Sequence, residues 1–289
     1  MPRIEFIGLN KTKPESNYLQ AHHKRIYSQF GEEGILERCF EIMGEQNKWC
    51  VEFGAWDGIH LSNTCYFIKE KKWSAVQIEG NAKKFEVLKQ NFIEFTSALQ
   101  MLEIVGYTKG KNTIDDILQK TIIPINFDFI SIDIDGNDWY VWESMVIYRP
   151  RLVIIEFNST VPNDVIFVQD QDMSVSQGCS LAALIDLGRV KGYELICVHK
   201  VNAYFVVEEE FKKFNISDNS IDAMHANSRG RIWSGFDGTV FNTLGRLGWA
   251  GNGRAIDVLE YQSLTQPLRK FRDKEELSKH SNSRPKKEI

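Results

Sequence analysis

The chain has 289 residues, of which 43% are hydrophobic and 26% are charged, and its formal net charge is −4. Such a composition is typical of a soluble globular protein with one large domain or two small ones. The small negative charge gives no overall attraction to nucleic acid or to an anionic membrane, so neither partner is expected. The sequence has no run of about 18 apolar residues that would predict a membrane span, and its start lacks the apolar run of a signal peptide.

The cysteines are scattered along the chain and odd in number: Cys39, Cys50, Cys65, Cys179 and Cys197. No CxxC spacing occurs among them. This pattern favours reduced thiols over a disulfide framework, and together with the absent signal peptide it predicts a cytoplasmic protein.

Between residues 48 and 210, short apolar runs alternate with helix-like segments. In chain order, the predicted strands are WCVEFGA, SAVQIEG, ALQMLEIVGY, FDFISIDID, RLVIIEFN, YELICVHK and AYFVVEEE. The predicted helices are SNTCYFIKEKK, NAKKFEVLKQNF, NTIDDILQKT, DWYVWESMVIY and SLAALIDLGRVKG. Asn81 is suited to capping one helix, Thr113 precedes another, and Gly192 closes the last. The final two strands are separated by VNA, which predicts an antiparallel pair.

This alternation predicts an α/β fold, a mostly parallel sheet with helices on both faces and a terminal antiparallel hairpin. We assign residues 31–210 to this domain, residues 1–30 to a lead-in and residues 211–289 to a C-terminal extension. The extension is rich in glycine and aromatic residues, which predicts a cap over the site or a contact in a homo-oligomer. Its last residues, RKFRDKEELSKHSNSRPKKEI, predict a solvated charged tail, with contact to an anionic partner as the alternative.

In such sheets a ligand binds at the carboxyl ends of the strands. The first strand runs into GAWDG, where Gly54 allows a tight turn and the close approach of a ligand, and Gly58 helps to start the next helix. Glu52, near the end of that strand, either orders the loop or accepts a hydrogen bond from a ligand. One strand later, Glu79 is placed to accept hydrogen bonds from both hydroxyls of a ribose. Together these residues predict a ligand that contains a nucleoside.

The glycine spacing narrows the choice of nucleoside. It is G-x-x-x-G, whereas nicotinamide and flavin enzymes use G-x-G-x-x-G to hold a pyrophosphate. Trp56 stands where a pyrophosphate needs close backbone approach, and no P-loop motif occurs. An adenosine ligand without phosphates fits better, and S-adenosylmethionine (SAM) is the obvious candidate.

The ordered motifs VEFGAWDG, QIEGN, TIDDIL, FISIDIDGNDWYVWESM and RLVIIEFN resemble those of the class I SAM-dependent methyltransferases. The chain is most similar to the FkbM-type group, many of which resemble sugar O-methyltransferases, and the likeness covers residues 27–207. The segment YSQFGEEGIL also resembles the lead-in that helps to close the cofactor pocket in that group. Two departures are Trp56, where the group often has a small or amide residue, and the C-terminal extension, which we assign to no family.

The resemblance implies a Rossmann-like methyltransferase sheet with a SAM site at its carboxyl edge. The residues expected to bind SAM are Gln29, Glu52, Gly54, Ala55, Trp56, Asp57, Gly58, Asn63, Glu79, Gly80, Tyr107 and Asp133. Because the sulfonium of SAM already activates the methyl group, the protein has to align the acceptor with it and remove a proton.

A second polar group ends the strands FDFISIDID and RLVIIEFN, and its members are Asp133, Asp135, Asp138, Glu156 and Asn158. Residues two apart on a strand share a face, which brings the first two acids together and likewise Glu156 and Asn158. Asp135 is our candidate for the general base that takes the proton of an acceptor hydroxyl, and Asp133 is a further catalytic candidate. Alternatively, Asp133, Glu156 and Asn158 hold Mg²⁺, which prefers oxygen ligands and lowers the pKa of the hydroxyl. A third interpretation is that these groups cap helices and bind the methionine part of SAM.

Metal-dependent macrolide-sugar O-methyltransferases resemble this arrangement of acids. They tend to have paired acids on the second strand, where this chain has Glu-Phe-Asn. His60, after GAWDG, is another candidate for the base, with a structural or exposed histidine as the alternative.

We expect the insert, residues 158–180, to determine which acceptor binds. It follows a strand end and is placed to form a lid. Its polar residues include Asp164, Gln169, Asp170, Gln171 and Asp172. The aromatic residues Trp139, Trp142, Trp233 and Trp249 suit a sugar, with core packing as the alternative. We therefore expect a SAM-dependent O-methyltransferase that acts on a carbohydrate or glycoconjugate. The alternatives are a nicotinamide-dependent oxidoreductase and a non-catalytic binding or scaffold module.

Overall fold

A computed structural model describes residues 12–108, 110, 112–226, 232–234 and 240–242 of the chain. By its internal contacts the chain divides into two compact units, Met1–Ser228 and Arg229–Ile289. In the second unit the structure describes one antiparallel pair of strands, Ile232–Ser234 and Val240–Asn242. The cap, the oligomer contact and the charged tail predicted for residues 211–289 lie mostly outside the described residues, as do the side chains of Trp233 and Trp249.

The first unit is built on a seven-stranded sheet. Its strands are β1 (Trp49–Phe53), β2 (Ser74–Glu79), β3 (Ala98–Leu102), β4 (Phe129–Ile132), β5 (Leu152–Glu156), β6 (Tyr193–His199) and β7 (Asn202–Val207). Their order across the sheet is β3-β2-β1-β4-β5-β7-β6. All neighbouring strands are parallel except where β7 pairs with β5 and with β6. The predicted mostly parallel sheet with a terminal antiparallel hairpin is confirmed.

Short helices connect the strands. They are α1 (Glu32–Met43), α2 (Cys65–Lys69), α3 (Ala82–Asn91), α4 (Ile114–Leu118), α5 (Asp138–Ser144), α6 (Leu181–Val190), α7 (Glu208–Phe211) and α8 (Ile221–Met224), with 3₁₀ helices at Tyr18–His22 and Lys212–Phe214. The side chain of Asn81 caps α3 by accepting two backbone N–H groups. Thr113 forms a capping box with Asp116 at the start of α4, and Gly192 follows α6 with φ 75°. The predicted helix boundaries at these three residues are confirmed.

Several elements end earlier than the sequence patterns predicted, and the structure shows the reason for two of them. β7 ends at Val207 because the next residues are three consecutive glutamates, which begin α7 instead of continuing a buried strand. α5 ends at Ser144 because the backbone N–H groups of residues 146–148 donate to the carboxylate of Asp115, at 2.7, 2.9 and 3.2 Å. In both cases a charged side chain decides where the element stops.

The core lies on both faces of the sheet. Every residue of β4 and β7 is buried, as expected for strands covered by helices on either side. Trp142 is fully buried and its ring contacts those of Tyr193 and Phe205, so core packing is its role. All five cysteines are buried and free, as predicted. Each fully buried large apolar side chain contributes about 1.5–3 kcal/mol to stability.

A buried ion pair lies at the amino ends of β4 and β5. Asp128, which precedes β4, is fully buried, and its carboxylate accepts a hydrogen bond from the Arg151 guanidinium at 2.7 Å. It also accepts the backbone N–H groups of residues 46–48, at distances down to 2.7 Å. Arg151 donates further to carbonyl oxygens at the end of α1 and to Glu210. This end of the sheet is therefore fixed by a fully partnered carboxylate.

The N-terminal segment covers β6, the strand at one edge of the sheet. The buried amide of Asn17 accepts the backbone N–H of Val198 at 2.9 Å and donates to the carbonyl oxygen of the same residue at 2.8 Å. It also donates to the carbonyl oxygen of Met224 at 2.9 Å. A side-chain amide thus takes the place of a neighbouring strand along part of this edge. Across the described residues, no helix combines the length and apolar character needed to cross a membrane.

Candidate active site

The carboxyl ends of β1, β2, β4 and β5 lie at one edge of the sheet. The register places Phe53 beside Ile78 on one side and beside Ile132 on the other. Ile132 in turn lies beside Ile155. The residues that follow these strands are therefore neighbours, and they include both groups of site residues predicted from the sequence.

The loop after β1 packs against β4 because it begins with glycine. Gly54 has φ 70°, and a Cβ atom there would lie 2.5 Å from the carbonyl oxygen of Asp133. Ala55 then donates its backbone N–H to the carbonyl oxygen of Ile78 at 3.1 Å. The turn thus joins the ends of three strands, and any side chain at Gly54 would displace Asp133 as well as the loop.

Glu79, the last residue of β2, holds this loop with its carboxylate. One oxygen accepts the backbone N–H of Trp56 at 2.8 Å, and the other accepts that of Asn81 at 2.7 Å. A carboxylate oxygen has two lone pairs, so each oxygen of Glu79 retains one acceptor position after these bonds are made. Glu79 therefore keeps the capacity to accept two hydroxyl groups of a ligand.

Beside Glu79 the structure exposes two apolar side chains that the sequence analysis missed. Ile104 is 67% exposed and Leu102 is 46% exposed. A Cβ atom at Gly80 would lie 3.0 Å from Cγ1 of Ile104, so the end of β2 touches the residues after β3. The signal in the sequence was the apolar run ALQMLEIV, which continues past the end of β3.

Glu52 orders the loop after β1, which is one of the two roles predicted for it. Its buried carboxylate accepts the hydroxyls of Ser62 and Thr64, each at 2.6 Å, and the backbone N–H of Asn63 at 2.7 Å. Burial raises the pKa of Glu52, and these donors oppose that rise. The side chain of Asn63 donates to the hydroxyl of Ser131 at 2.9 Å, which ties the loop to β4. Direct contacts of Glu52 and Asn63 with SAM stay predictions.

Trp56 and His60 are the exposed side chains of GAWDGIH and form a rim beside the loop. Trp56 has φ 50° and is 42% exposed, and its ring lies edge-on to that of His60 with centroids 5.1 Å apart. Asp57 accepts two backbone N–H groups of its own turn, at 2.9 and 2.7 Å. At Gly58 a Cβ atom would lie 2.4 Å from the ring of Phe92, so the turn needs glycine there as well. The structure shows His60 exposed beside an indole ring, and its role as a base stays a prediction.

The lead-in lies against the same loop. Ser28 forms a bridge with Leu61, and Gln29 follows it with an exposed side chain. Glu33 of α1 shapes this segment by accepting the backbone N–H groups of Ile26 at 3.3 Å and of Ser28 at 2.6 Å. Sequence reasoning missed Glu33 because an acid in the first turn of a helix is equally well explained by the helix dipole.

Asp133, Asp135 and Glu156 form a compact group of acids at the ends of β4 and β5. Each offers one carboxylate oxygen, and these three oxygens lie within 4.8 Å of one another. Loss of hydration and the neighbouring acids raise the pKa of Asp133 to about 7 and that of Glu156 to about 11. Glu156 thus keeps its proton at neutral pH and shares it in a hydrogen bond with Asp133. The ion pairs formed among the described residues include none of these three acids.

Asp138 lies close by but serves the turn between β4 and α5. Its carboxylate accepts the backbone N–H groups of Ile134 at 2.8 Å and of Gly136 at 2.9 Å. Burial raises the pKa of Asp138 to about 6, and these two donors limit the rise. Asp135, inside this turn, has φ 59° and an exposed side chain. The turn therefore presents Asp135 to solvent while Asp138 holds it in shape.

Asn158, which we predicted as a metal ligand, uses its side chain inside the insert. Its amide oxygen accepts the backbone N–H of Thr160 at 3.0 Å, and its amide nitrogen donates to the carbonyl oxygen of Gln177 at 2.8 Å. The reason is that β5 ends at Glu156, so the alternation of faces along a strand does not extend to residue 158. Asp135 takes the third place beside Asp133 and Glu156.

The insert begins and ends at the site. The backbone N–H of Asn158 donates to the carbonyl oxygen of Cys179 at 2.8 Å, and Val168 forms a bridge with Cys179. The hydroxyl of Tyr107 donates to the carbonyl oxygen of Gln171 at 3.1 Å, so Tyr107 contacts the insert and its contact with SAM stays a prediction. Of the five polar residues named above for the insert, four are exposed, namely Asp164, Asp170, Gln171 and Asp172.

No family model matches this chain, and no curated protein matches it. Solved structures resemble it at low identity. An O-methyltransferase from Bacillus cereus in complex with S-adenosylhomocysteine (SAH) is 15% identical, with a TM-score of 0.43, over 66% of this chain and 84% of that chain. The N-terminal domain of EvdMO1, crystallised in the presence of SAH and D-fucose, is 10% identical, with a TM-score of 0.37, over 60% and 81% of the two chains.

A SAM-dependent methyltransferase from Aquifex aeolicus is 13% identical, with a TM-score of 0.37, over 61% of this chain and 92% of that chain. These neighbours are proteins that bind SAH or are named as methyltransferases. Because their identities and scores are all low, a function for this chain has to be argued from the residues of its own site.

Proposed function

We propose that this chain is a SAM-dependent O-methyltransferase of the FkbM type, with a hydroxyl of a carbohydrate or glycoconjugate as its acceptor. The observation that carries the proposal is the arrangement along one sheet edge. Glu79 on β2 has two acceptor positions left for ribose hydroxyls. The acids Asp133 and Glu156 lie at the ends of β4 and β5, and Gly54, with no side chain to block a ligand, lies between them and Glu79.

The residues around Glu79 fit the adenosine part of SAM. Its carboxylate would accept the ribose hydroxyls, as an acid at this strand end does in nucleoside sites. The exposed side chains of Leu102 and Ile104 offer apolar surface for a purine ring. When bound, SAM supplies an electrophilic methyl group attached to a positively charged sulfur.

The residues around Asp133 fit the removal of a proton. The hydroxyl proton of the acceptor would pass to Asp135 as its oxygen receives the methyl group from the sulfur of SAM. Asp135 suits this step because its carboxylate is exposed, whereas Asp133 already accepts a hydrogen bond from protonated Glu156. The neighbouring carboxylate of Asp133 keeps negative potential at the point where the hydroxyl proton leaves the acceptor.

The same three acids favour a second arrangement, in which a divalent cation assists. Carboxylate oxygens within 4.8 Å of one another suit a hard cation such as Mg²⁺. Asp133, Asp135 and Glu156 would hold it, and it would lower the pKa of the acceptor hydroxyl. Because Glu156 must first lose its proton, Mg²⁺ would bind more tightly as the pH rises.

The acceptor class is supported by the insert. Its exposed acids and amides, at positions 164 and 170–172, offer hydrogen-bond partners for several hydroxyl groups. The exposed indole of Trp56, on the rim of the same edge, offers a flat apolar face of the kind that sugars contact. A polyhydroxyl acceptor uses both kinds of surface.

The experiment that tests the proposal is a calorimetric titration of SAH into the wild-type chain and into Glu79→Ala, with and without Mg²⁺. We expect roughly micromolar binding to the wild type and a loss of about 10–100-fold in Glu79→Ala, because hydrogen bonds to a charged group contribute about 1.5–3 kcal/mol. Glu86→Ala is the matched control, since Glu86 is an exposed acid that pairs with Lys89 on the same helix.

Two outcomes would contradict the proposal in different ways. Absence of SAH binding in every metal condition would reject the cofactor, and binding of NAD instead would favour an oxidoreductase. SAH binding of equal strength in wild type and Glu79→Ala would reject the assigned ribose site.

A further inference from the structure

One buried glutamine organises the insert. Gln169 is 2% exposed, although it lies in a polar stretch of the chain. Its amide oxygen accepts the backbone N–H groups of Gln177 at 2.7 Å and of Gly178 at 2.8 Å. Its amide nitrogen donates to the carbonyl oxygens of Val175 at 2.7 Å and of Asp172 at 3.4 Å. Every hydrogen-bonding position of the amide is used, which fixes the shape of this part of the insert.

The same amide packs directly on the turn between β4 and α5. A Cβ atom at Gly136 would lie 3.0 Å from the amide oxygen of Gln169 and 3.2 Å from its amide nitrogen. It would also lie 2.7 Å from the carbonyl oxygen of Val175. Gly136 is the residue after Asp135, so the insert touches the backbone of the turn that presents the proposed base.

Two further hydrogen bonds join the insert to this region. Asn137 donates through its side chain to the carbonyl oxygen of Asp172 at 3.0 Å. The hydroxyl of Tyr140 donates to the carbonyl oxygen of Gln169 at 2.8 Å. Since the carboxylate of Asp138 also binds the turn through two backbone N–H groups, the turn is held between α5 and the insert.

We propose that Gln169 is a positioning residue that holds residues 170–178 of the insert against the turn carrying Asp135, so that this part of the insert and the proposed base move together. This inference rests on the proposed function for its meaning, because Asp135 is the base only in that reaction. It requires that residues 170–178 and the turn carrying Asp135 move together, and this coupling can be measured without an acceptor. Gln169 itself touches no reacting atom and acts through Gly136 and the insert.

The coupling predicts what a nearly isosteric change does. In Gln169→Glu, an ionised carboxylate still accepts from residues 177 and 178 but cannot donate to the carbonyl oxygens of Val175 and Asp172. These two carbonyls lose their donor and face a negative charge. When the new carboxylate is protonated at lower pH, it regains one donor, so the effect is reversed in part.

The experiment is hydrogen–deuterium exchange, resolved by peptides, on the full chain at pH 5 and pH 8. Gln171→Glu is the matched control, because Gln171 is exposed and only two residues away. At pH 8 we expect Gln169→Glu to exchange on the order of tenfold faster than Gln171→Glu in residues 170–178 and also in residues 133–137. At pH 5 we expect the ratio between the two variants to fall towards one in both segments.

Faster exchange confined to residues 170–178, with the turn as protected as in the control, would overturn the proposal and leave Gln169 a purely local structural residue. Equal exchange of the two variants in both segments would also overturn it. If Gln169→Glu does not fold, the uncharged Gln169→Met is measured in its place, with the same joint effect expected at both pH values. SAH titration of each variant separates this outcome from a failure of the proposed function, since the cofactor residues are unchanged.

Discussion

Strands β4 and β5 have acidic residues at both ends. At the amino ends the acid is paired with a cation, whereas at the carboxyl ends the acids face each other. At the amino ends, the buried carboxylate of Asp128 is partnered by Arg151 and by backbone N–H groups. At the carboxyl ends, Asp133 and Glu156 face each other, and a shared proton takes the place of a cation. Buried charge is costly unless it is paired. The ion pair at the amino ends therefore stabilises the fold, whereas stability alone does not explain the neighbouring acids at the carboxyl ends.

The largest effect is expected from breaking the paired end. In Asp128→Ala, the guanidinium of Arg151 and three backbone N–H groups lose their buried partner. Removal of one partner of a buried ion pair costs about 3–5 kcal/mol. We expect this loss in the free energy of unfolding, measured by urea denaturation followed by circular dichroism.

The control for that measurement is an exposed ion pair of similar length. Arg38 and Glu41 lie 2.8 Å apart on the surface of α1, and exposed pairs contribute about 0–1 kcal/mol. If Asp128→Ala lowered the free energy of unfolding no more than Glu41→Ala does, the ion pair at the amino ends of β4 and β5 would not stabilise the fold as inferred.

The next effect concerns chemistry at the other end. Asp135→Asn keeps the size of the side chain but removes the group proposed to accept the hydroxyl proton. We expect methyl transfer to fall by about 100-fold or more, while the Kd for SAH is unchanged, measured as SAH release with a carbohydrate acceptor. Asp186→Asn, at an exposed acid of α6 that lies in neither group of site residues, is the control. Unchanged transfer in Asp135→Asn would reject Asp135 as the base and move that role to Asp133.

The smallest effect is a gain in stability that depends on pH. The pKa of Glu156 is raised from 4.5 to about 11 in the folded chain, so the stability linked to its protonation is complete below pH 4.5 and is lost as the pH rises. Glu156→Gln keeps an N–H donor for Asp133 and cannot ionise. We expect it to exceed the wild type in unfolding free energy at pH 8, with a smaller difference at pH 5.

Urea denaturation at several pH values measures this difference. A constant offset between the two proteins, with the same slope against pH, would show that Glu156 does not hold the extra proton. A loss of stability in Glu156→Gln at pH 8 would show that the acids are held by something other than a shared proton.

The sheet could be predicted because its signals are local and strong. Strand β5 is an uninterrupted apolar run, and the caps at Asn81 and Thr113 depend only on the next two or three residues. The positions of Gly54 and Glu79 follow from the same strands, because a residue at the end of a parallel strand must lie at one edge of the sheet.

The details of the site depend on contacts that no local pattern records. Asn158 was grouped with Glu156 because they are two residues apart, but the strand ends between them and the amide turns to the insert. Asp135 lies beside the other two acids because its backbone is left-handed, with φ 59°. No local sequence pattern predicts this conformation. Gln169 looks like an exposed residue of a polar loop, and its burial becomes visible only when Gly136 is seen to leave room for it.

Asn17 sets a condition on how the chain reaches this structure during synthesis. Its side-chain amide forms hydrogen bonds with the backbone of Val198 and Met224, which lie 181 and 207 positions further along the chain. At about 5–20 residues per second, ribosomes need roughly 10–40 s to add those residues. Until then Asn17 lacks both backbone partners, because Val198 and Met224 have not yet been made. The segment around Asn17 therefore completes its contacts late, and a substitution at Asn17 would act on a late step of assembly.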